Sequence, residues 1–92
     1  MIKNFRDKDT QSLYVGTAVK KWRAIRRQAE RRLQILDMAT CLDDLKHLPS
    51  NHLELLKGNR KGQYSIRINN QWRICFVWQK GEPYQVEIVD YH

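Results

Sequence analysis

The chain has 92 residues and a formal net charge of +7, with 17 lysines and arginines against 10 aspartates and glutamates. This length fits one domain over residues 1–92, which can bury little more than one sheet face under one layer of helices. No stretch is apolar for long enough to span a bilayer, and residues 1–6 lack a signal-peptide core, so a cytoplasmic protein without membrane contact is expected. The excess of cations favours a polyanionic partner, such as RNA, DNA or an acidic protein.

The first half of the chain is predicted to be helical after one short strand. Residues 2–5 alternate apolar and polar side chains and could add a strand to a sheet. Residues 7–16 contain capping residue types and should form one or two helical turns before Gly16. The main helix is predicted to begin at Thr17, and an apolar stripe with helical spacing should cover the sheet: Ala18, Trp22, Ile25, Ala29, Leu33 and Leu36.

The opposite side of this helix carries a run of cations, here called the basic ridge: Lys20, Lys21, Arg23, Arg26, Arg27, Arg31 and Arg32. Glu30 is the only acid in that run. A solvated helix face would explain such charges, but like charges without i, i+4 acidic partners repel one another, which favours a binding surface. We assign the ridge to ribosomal RNA.

The last third of the chain predicts an antiparallel meander. Asn69-Asn70 and residues 80–83 separate three apolar alternations and suit tight hairpins, because Asn and Gly tolerate positive φ. The alternations are Tyr64, Ile66 and Ile68; Trp72, Ile74, Phe76 and Trp78; and Tyr84, Val86 and Ile88. This face, with its two tryptophans, should pack on the helices. The other face is polar: Ser65, Arg67, Arg73, Cys75, Gln79, Gln85, Glu87 and Tyr91.

Three further features constrain the fold and its chemistry. Thr40, Asp43 and Asp44 resemble a capping box before a short turn at residues 42–45. Cys41 and Cys75 lack C-x-x-C spacing, so reduced, structural thiols are expected. His47 and His52 have no third ligand in view, so no metal site and no cofactor are predicted.

Side chains suited to phosphodiester cleavage gather in the last third: Lys57, Arg60 and Lys61 in a glycine-flanked loop, Arg67 and Arg73 on the polar face, and Asp90, Tyr91 and His92 at the end. Cleaving RNA without a metal needs a base for the 2′-hydroxyl, an acid for the leaving 5′-oxygen and cations for the phosphorane. Plainer explanations exist, since the end could be frayed and the loop, which lacks P-loop spacing, could be only a turn. Arg73 differs, because a cation facing outward from a central strand suggests a phosphate contact.

The segment LKGNRKGQYSIRINNQWRICF, together with the terminal VEIVDYH, resembles the HigB toxins of bacterial toxin–antitoxin modules, in the RelE superfamily of small basic ribonucleases. The resemblance covers essentially the whole chain. It implies a two-layer α+β fold, with N-terminal helices on one face of a three- to five-stranded, mainly antiparallel sheet. It also implies metal-independent cleavage of messenger RNA in the ribosomal A site. A HigA-like helix-turn-helix antitoxin would be the inhibitor and would carry any contact with operator DNA.

Carried over residue by residue, the resemblance implies an active site of Lys57, Asp90, Tyr91 and His92, with Arg73 beside it as a phosphate contact. His92, oriented by Asp90, would take the 2′-hydroxyl proton. Some relatives have a histidine three residues before the lysine, where this chain has Glu54. That acid could act as a base or only pair with Lys57, so the assignment of general acid and general base stays open. The remaining RNA- or ribosome-binding candidates are the loop and sheet cations: Arg60, Lys61 and Arg67.

Two other functions compete with this one. A non-catalytic RNA- or ribosome-binding protein would inhibit translation or ribosome assembly by occupancy alone, and Glu54 favours it. A repressor that binds operator DNA directly is disfavoured, because no helix-turn-helix pattern is present and the basic helix must bury its other side on the sheet.

Overall fold

The computed structural model of the chain describes residues 1–90. Within them, α-helices lie at Lys8–Tyr14 (α1), Arg26–Met38 (α2) and Leu42–Lys46 (α3). Strands lie at Glu54–Leu55 (β1), Tyr64–Arg67 (β2), Trp72–Gln79 (β3) and Glu82–Asp90 (β4). Short 3₁₀ segments occupy Lys20–Ile25, Pro49–Asn51 and Gly58–Arg60. The predicted division into a helical first half and a β second half is confirmed.

The strands form one antiparallel sheet in the order β1-β2-β3-β4, as the predicted meander requires. Ile66 pairs with Ile74, and Ile74 pairs with Ile88, so an apolar row crosses the sheet. The N-terminal segment contributes a single parallel bridge, from Phe5 to Val86, rather than a full strand. It nevertheless fixes the start of the chain against β4.

The main helix begins later than predicted. Residues 17–19 are not helical, Lys20–Ile25 is a 3₁₀ segment with a kink at Trp22, and α2 starts only at Arg26. Cations near the start of a helix are unfavourable, because the helix dipole is positive there. The first turns of both segments contain cations and no acid, which disfavours an earlier start of the helix. As a result Ala18, expected in the apolar stripe, is exposed.

The core lies between α2 and the inner face of the sheet. Ala29, Leu33 and Leu36 on α2 are at most 1% exposed, as the stripe predicted. Trp22 is equally buried and packs edge-on against Trp72, with the ring centroids 6.2 Å apart. Burial of each such large apolar side chain contributes about 1.5–3 kcal/mol to folding, which is why the helical layer stays on this face.

A β-bulge changes the third apolar alternation. The pairing shifts between Cys75–Glu87 and Val77–Tyr84, and Gln85 takes a positive φ of 52°. A one-residue shift moves side chains to the other face. Tyr84 therefore shares the outer face with Val77, and the predicted inner-face position of Tyr84 is wrong.

The two hairpins are built differently. Lys80 and Gly81 both have positive φ, as expected for a tight turn after β3. Asn69 and Asn70 are not among the positive-φ residues of the described chain. Instead the Asn69 Oδ1 accepts hydrogen bonds from the backbone N–H groups of Gln71 and Trp72, both at 2.8 Å. The side chain of Asn69 thus closes the β2–β3 turn.

Two residues of the predicted capping box, Thr40 and Asp44, interact at the start of α3, where the N-cap residue is Cys41. The backbone N–H and the hydroxyl of Thr40 donate to Asp44 Oδ2 at 2.9 and 3.1 Å. These hydrogen bonds lower the pKa of Asp44. They fix the turn that leads toward β1.

Candidate functional site

The sheet face opposite the helices, here called the outer face, brings the polar strand residues together. The register aligns Glu54, Ser65, Cys75 and Glu87 in one row across all four strands. Arg67 and Arg73 pair in the next row. Most of the polar side chains predicted for one face therefore do share it.

Arg73 is held inside this face by protein groups. It is 9% exposed; its Nε donates to Ser65 Oγ at 2.8 Å, and its Nη2 donates to the backbone oxygen of His52 at 2.6 Å. The Glu54 carboxylate lies 4.0 Å from the same Nη2. Arg73 was expected to face outward, and it does lie on the outer face, but as a buried group that also ties β3 to the residues before β1.

A cleft of about 350 Å³ opens beside Arg73. We call it the main cleft, and it is lined by His52, Glu54, Arg67, Asn69, Asn70 and Arg73. Two cations, one carboxylate and one imidazole in a single cleft suit the binding of a phosphate and the transfer of a proton.

The β2–β3 turn forms one wall of the main cleft. Arg67 Nε donates to the backbone oxygen of Asn69 at 3.1 Å, and its Nη2 donates to Asn70 Oδ1. These bonds orient the guanidinium before any ligand arrives, which lowers the entropic cost of binding an anion.

Lys57 lies outside the main cleft. It precedes the 3₁₀ turn at Gly58–Arg60, is exposed, and lines a largely apolar hollow with Leu55, Leu56 and Lys61. The structure therefore does not place Lys57 in the same hollow as Arg73, although both were predicted to contact one phosphate.

Arg60 is engaged in an ion-pair cluster. Its Nη1 lies 3.2 Å from Glu87 Oε2 and also donates to Gln63 Oε1, while Arg6 Nε lies 3.4 Å from the same Glu87 oxygen. Arg60 was predicted to bind RNA, but here it fastens the turn after Lys57 to β4. Burial raises the pKa of the neighbouring Cys75 thiol.

The end of β4 reaches the same end of the sheet as the main cleft. Asp90 pairs with Trp72, the residue before Arg73, and its Oδ2 accepts a hydrogen bond from Gln71 Nε2 at 3.1 Å. The predicted catalytic residues Tyr91 and His92 lie outside the described residues.

The cations of the basic ridge fall into two sets, those bound by protein groups and those that make no ion pair. Lys21 pairs with Asp9 at 2.9 Å, and Arg26 pairs with Glu30 at 3.3 Å. Arg32 turns away and donates to Asn51 Oδ1 at 2.6 Å. Among residues 1–90, four exposed ridge cations make no ion pair: Lys20, Arg23, Arg27 and Arg31.

In the part of the chain that the structure describes, neither a cluster of metal-ligating side chains nor a membrane-spanning helix is present. Residues 1–90 contain no group of three or more His, Cys, Asp or Glu side chains able to hold a metal ion. None of their helices has the length and apolar character of a bilayer span.

The family profile described as "RelE-like toxin of type II toxin-antitoxin system HigB" matches residues 3–92. The chain belongs to this family of HigB-like toxins. This confirms the resemblance inferred from the sequence motifs.

Two individual relatives support this family assignment. The HigB-like chain is 40% identical over 85 residues to Toxin HigB-1 of Vibrio cholerae, covering 88% of this chain and 87% of that protein. It is 39% identical over 61 residues to Endoribonuclease HigB of Proteus vulgaris, covering 66% and 65% of the two chains.

Solved structures support the HigB-like fold. A chain of the YoeB–YefM complex from Staphylococcus aureus superposes with a TM-score of 0.58 at 18% identity, covering 100% of this chain and 98% of that one. At this identity the likeness concerns the fold, and it confirms the predicted two-layer α+β architecture with an antiparallel sheet.

Three residues of the main cleft were not predicted as functional: His52, Asn69 and Asn70. His52 was considered only as a metal ligand, and the asparagines only as a turn. Their contribution depends on the pairing of β2 with β3 and on the bond from Arg73 to the His52 backbone, which no local sequence pattern shows.

Proposed function

We propose that this HigB-like chain is an endoribonuclease toxin that cleaves messenger RNA in the A site of the ribosome and so inhibits translation. The main cleft carries the proposal, because it combines two oriented guanidinium groups with an imidazole and a carboxylate. The similarity to Endoribonuclease HigB of Proteus vulgaris supports the reaction type. We propose that the reaction proceeds without a metal, with protein side chains supplying the proton transfers and the countercharge.

In the proposed mechanism a base removes the 2′-hydroxyl proton, and the resulting oxygen attacks the adjacent phosphorus. The bond from phosphorus to the 5′-oxygen breaks, and an acid protonates that oxygen. The products are a 2′,3′-cyclic phosphate and a 5′-hydroxyl. His92, oriented by Asp90, is the proposed general base, and Arg73 in the main cleft stabilises the phosphorane. Tyr91 stacks on an unpaired nucleobase or donates the proton to the leaving oxygen.

Primer extension on a reporter messenger RNA tests this function. Wild type, His92→Gln and a translation-blocked reporter are compared after brief induction. Cuts that need both His92 and translation support a ribosome-dependent nuclease. Products with a 5′-phosphate and a 3′-hydroxyl contradict the mechanism.

An occupancy inhibitor is the second candidate. The position of Lys57 outside the main cleft favours it, because one expected phosphate contact is missing there. A pure binder keeps its toxicity in His92→Gln and produces no cuts, whereas the nuclease loses its toxicity.

The proposed partners follow from the family. We expect a HigA-like helix-turn-helix antitoxin that neutralises the toxin in the cytoplasm and carries the contact with operator DNA. The toxin–antitoxin complex of the Staphylococcus aureus YoeB neighbour is a related assembly. Co-expression tests this: the antitoxin encoded beside the toxin should co-purify with it. A gel shift on the operator should require the antitoxin and should be absent with the toxin alone.

A further inference from the structure

A second hollow adjoins the main cleft. This side pocket has a volume of about 410 Å³. It shares His52, Arg67 and the Asn69–Asn70 turn with the main cleft, and it adds Gln28 and Arg32 from α2 and Ser50 from the loop before β1. Each volume lies near the lower end of the range for small-ligand pockets, ~300–1,000 Å³. The two hollows therefore form one two-lobed groove across the helix–sheet boundary.

Arg32 gives the side pocket a fixed cation. Its Nη1 donates to Asn51 Oδ1 at 2.6 Å, and Asn51 is fully buried, with its Nδ2 donating to the backbone oxygen of Leu45 at 3.0 Å. A guanidinium anchored in this way loses little freedom when a phosphate binds. Partial burial and the charge of Arg31 lower the pKa of Arg32, so a bound anion would relieve an existing electrostatic cost.

The other added groups are uncharged hydrogen-bonding side chains. Gln28 is exposed on α2 and offers both a donor and an acceptor, and the Ser50 hydroxyl offers the same. Unpaired RNA bases are recognised through such contacts to their edges. A cation with two neutral polar groups fits a nucleotide better than it fits an acidic peptide.

From this geometry we propose that the side pocket binds the nucleotide next to the scissile phosphate, with Arg32 on its phosphate and Gln28 and Ser50 on the edge of its base. The inference rests on the proposed function, because the main cleft must hold the scissile phosphate. The side pocket then determines which nucleotide is preferred beside the cut.

Sequencing of the cut ends tests this preference. Gln28→Ala and Ser50→Ala are compared with wild type, and Gln34→Ala, also exposed on α2 but absent from the groove, is the matched control. Loss of one hydrogen bond in Gln28→Ala or Ser50→Ala should change the relative use of nucleotides beside the cut by about 2- to 10-fold, and Gln34→Ala should leave it unchanged. Nucleotide frequencies identical in all four proteins would overturn the inference.

Binding without cleavage separates this inference from the proposed function. A dinucleotide with a 2′-O-methyl group at the cleavable position is titrated into ¹⁵N-labelled protein. Amide shifts at Gln28, Arg32 and Ser50 that exceed those at Gln34 support the side pocket, even if the wild type cuts no messenger RNA. If these amide resonances do not shift, or if inorganic phosphate alone shifts them equally, the pocket does not bind a nucleobase, even if the wild type is an active nuclease.

Discussion

His52 is the residue whose role changes most between sequence and structure. It has a left-handed backbone with a φ of 45°, lines both lobes of the groove, and accepts the Arg73 hydrogen bond through its backbone oxygen. Imidazole is the side chain type best suited to proton exchange near neutral pH. The main cleft therefore places an imidazole beside its two cations.

We expect His52→Asn to lower the cleavage rate about 10²-fold if the imidazole transfers a proton. Asparagine tolerates the left-handed backbone and leaves the bond to Arg73 intact, so the fold should not change. His47→Asn is the matched control, because His47 is exposed and lies outside the groove. Equal rates and equal pH profiles for the two variants would exclude a catalytic His52.

Cys75 should couple stability to alkaline pH. Burial raises the pKa of its thiol, with the charges of Arg60, Glu87, Arg73 and Glu54 acting on it as well. An unfolded thiol ionises near pH ~8.5. Above that pH the folded state binds more protons than the unfolded state, so the free energy of unfolding falls as pH rises, and below it the contribution is fully present.

Urea unfolding at pH 7 and at about pH 9.5 measures this coupling, because the interval spans the ionisation of a free thiol. Cys75→Ala should lose less stability over the interval than wild type. Cys41→Ala, which removes an exposed thiol, should behave like wild type. Equal losses in all three proteins would rule out the Cys75 contribution.

At the scale of an element, α2 contributes both to the buried core and to the exposed basic surface. Its buried stripe fixes it on the sheet, and its exposed side carries part of the basic ridge. Its start at Arg26 also places Gln28 and Arg32 at the rim of the groove. The ridge therefore contains structural as well as accessible cations.

Reversing the charge of Arg27 and Arg31 together to Glu should weaken ribosome association about tenfold or more at physiological salt, because several phosphate contacts are lost. Arg26 is left unchanged, since it pairs with Glu30 and donates to the Gly16 backbone at 3.0 Å. The control reverses Lys8 and Lys46, which are exposed elsewhere and give the same net charge. Sedimentation with 70S ribosomes measures both. Equal weakening in the two would mean that net charge alone matters.

At the scale of the whole molecule, one contact joins the layers where no regular helix exists. Trp22, in the 3₁₀ segment, is 1% exposed and packs against Trp72 at the start of β3. Because Arg73 follows Trp72, this packing also supports the strand that carries the main cleft.

Trp22→Ala should lower the free energy of unfolding by about 3–5 kcal/mol, the usual cost of truncating a buried aromatic side chain. That is a large share of the ~5–15 kcal/mol total of a small domain. Met38→Ala, at a side chain that is 79% exposed, should cost little. Chemical denaturation followed by circular dichroism measures both, and similar midpoints would contradict the role of Trp22 in the core.

The sequence by itself determined the two-layer α+β fold, the meander, the buried stripe of α2 and the family, because apolar periodicity and a contiguous motif are local properties. Only the tertiary structure decided where α2 begins, that Tyr84 faces outward, and that Lys57 lies apart from Arg73 while His52 lies beside it. Those outcomes depend on helix-end electrostatics, on a single bulge in the β3–β4 register and on hydrogen bonds between residues distant in sequence. None of these follows from spacing along the chain.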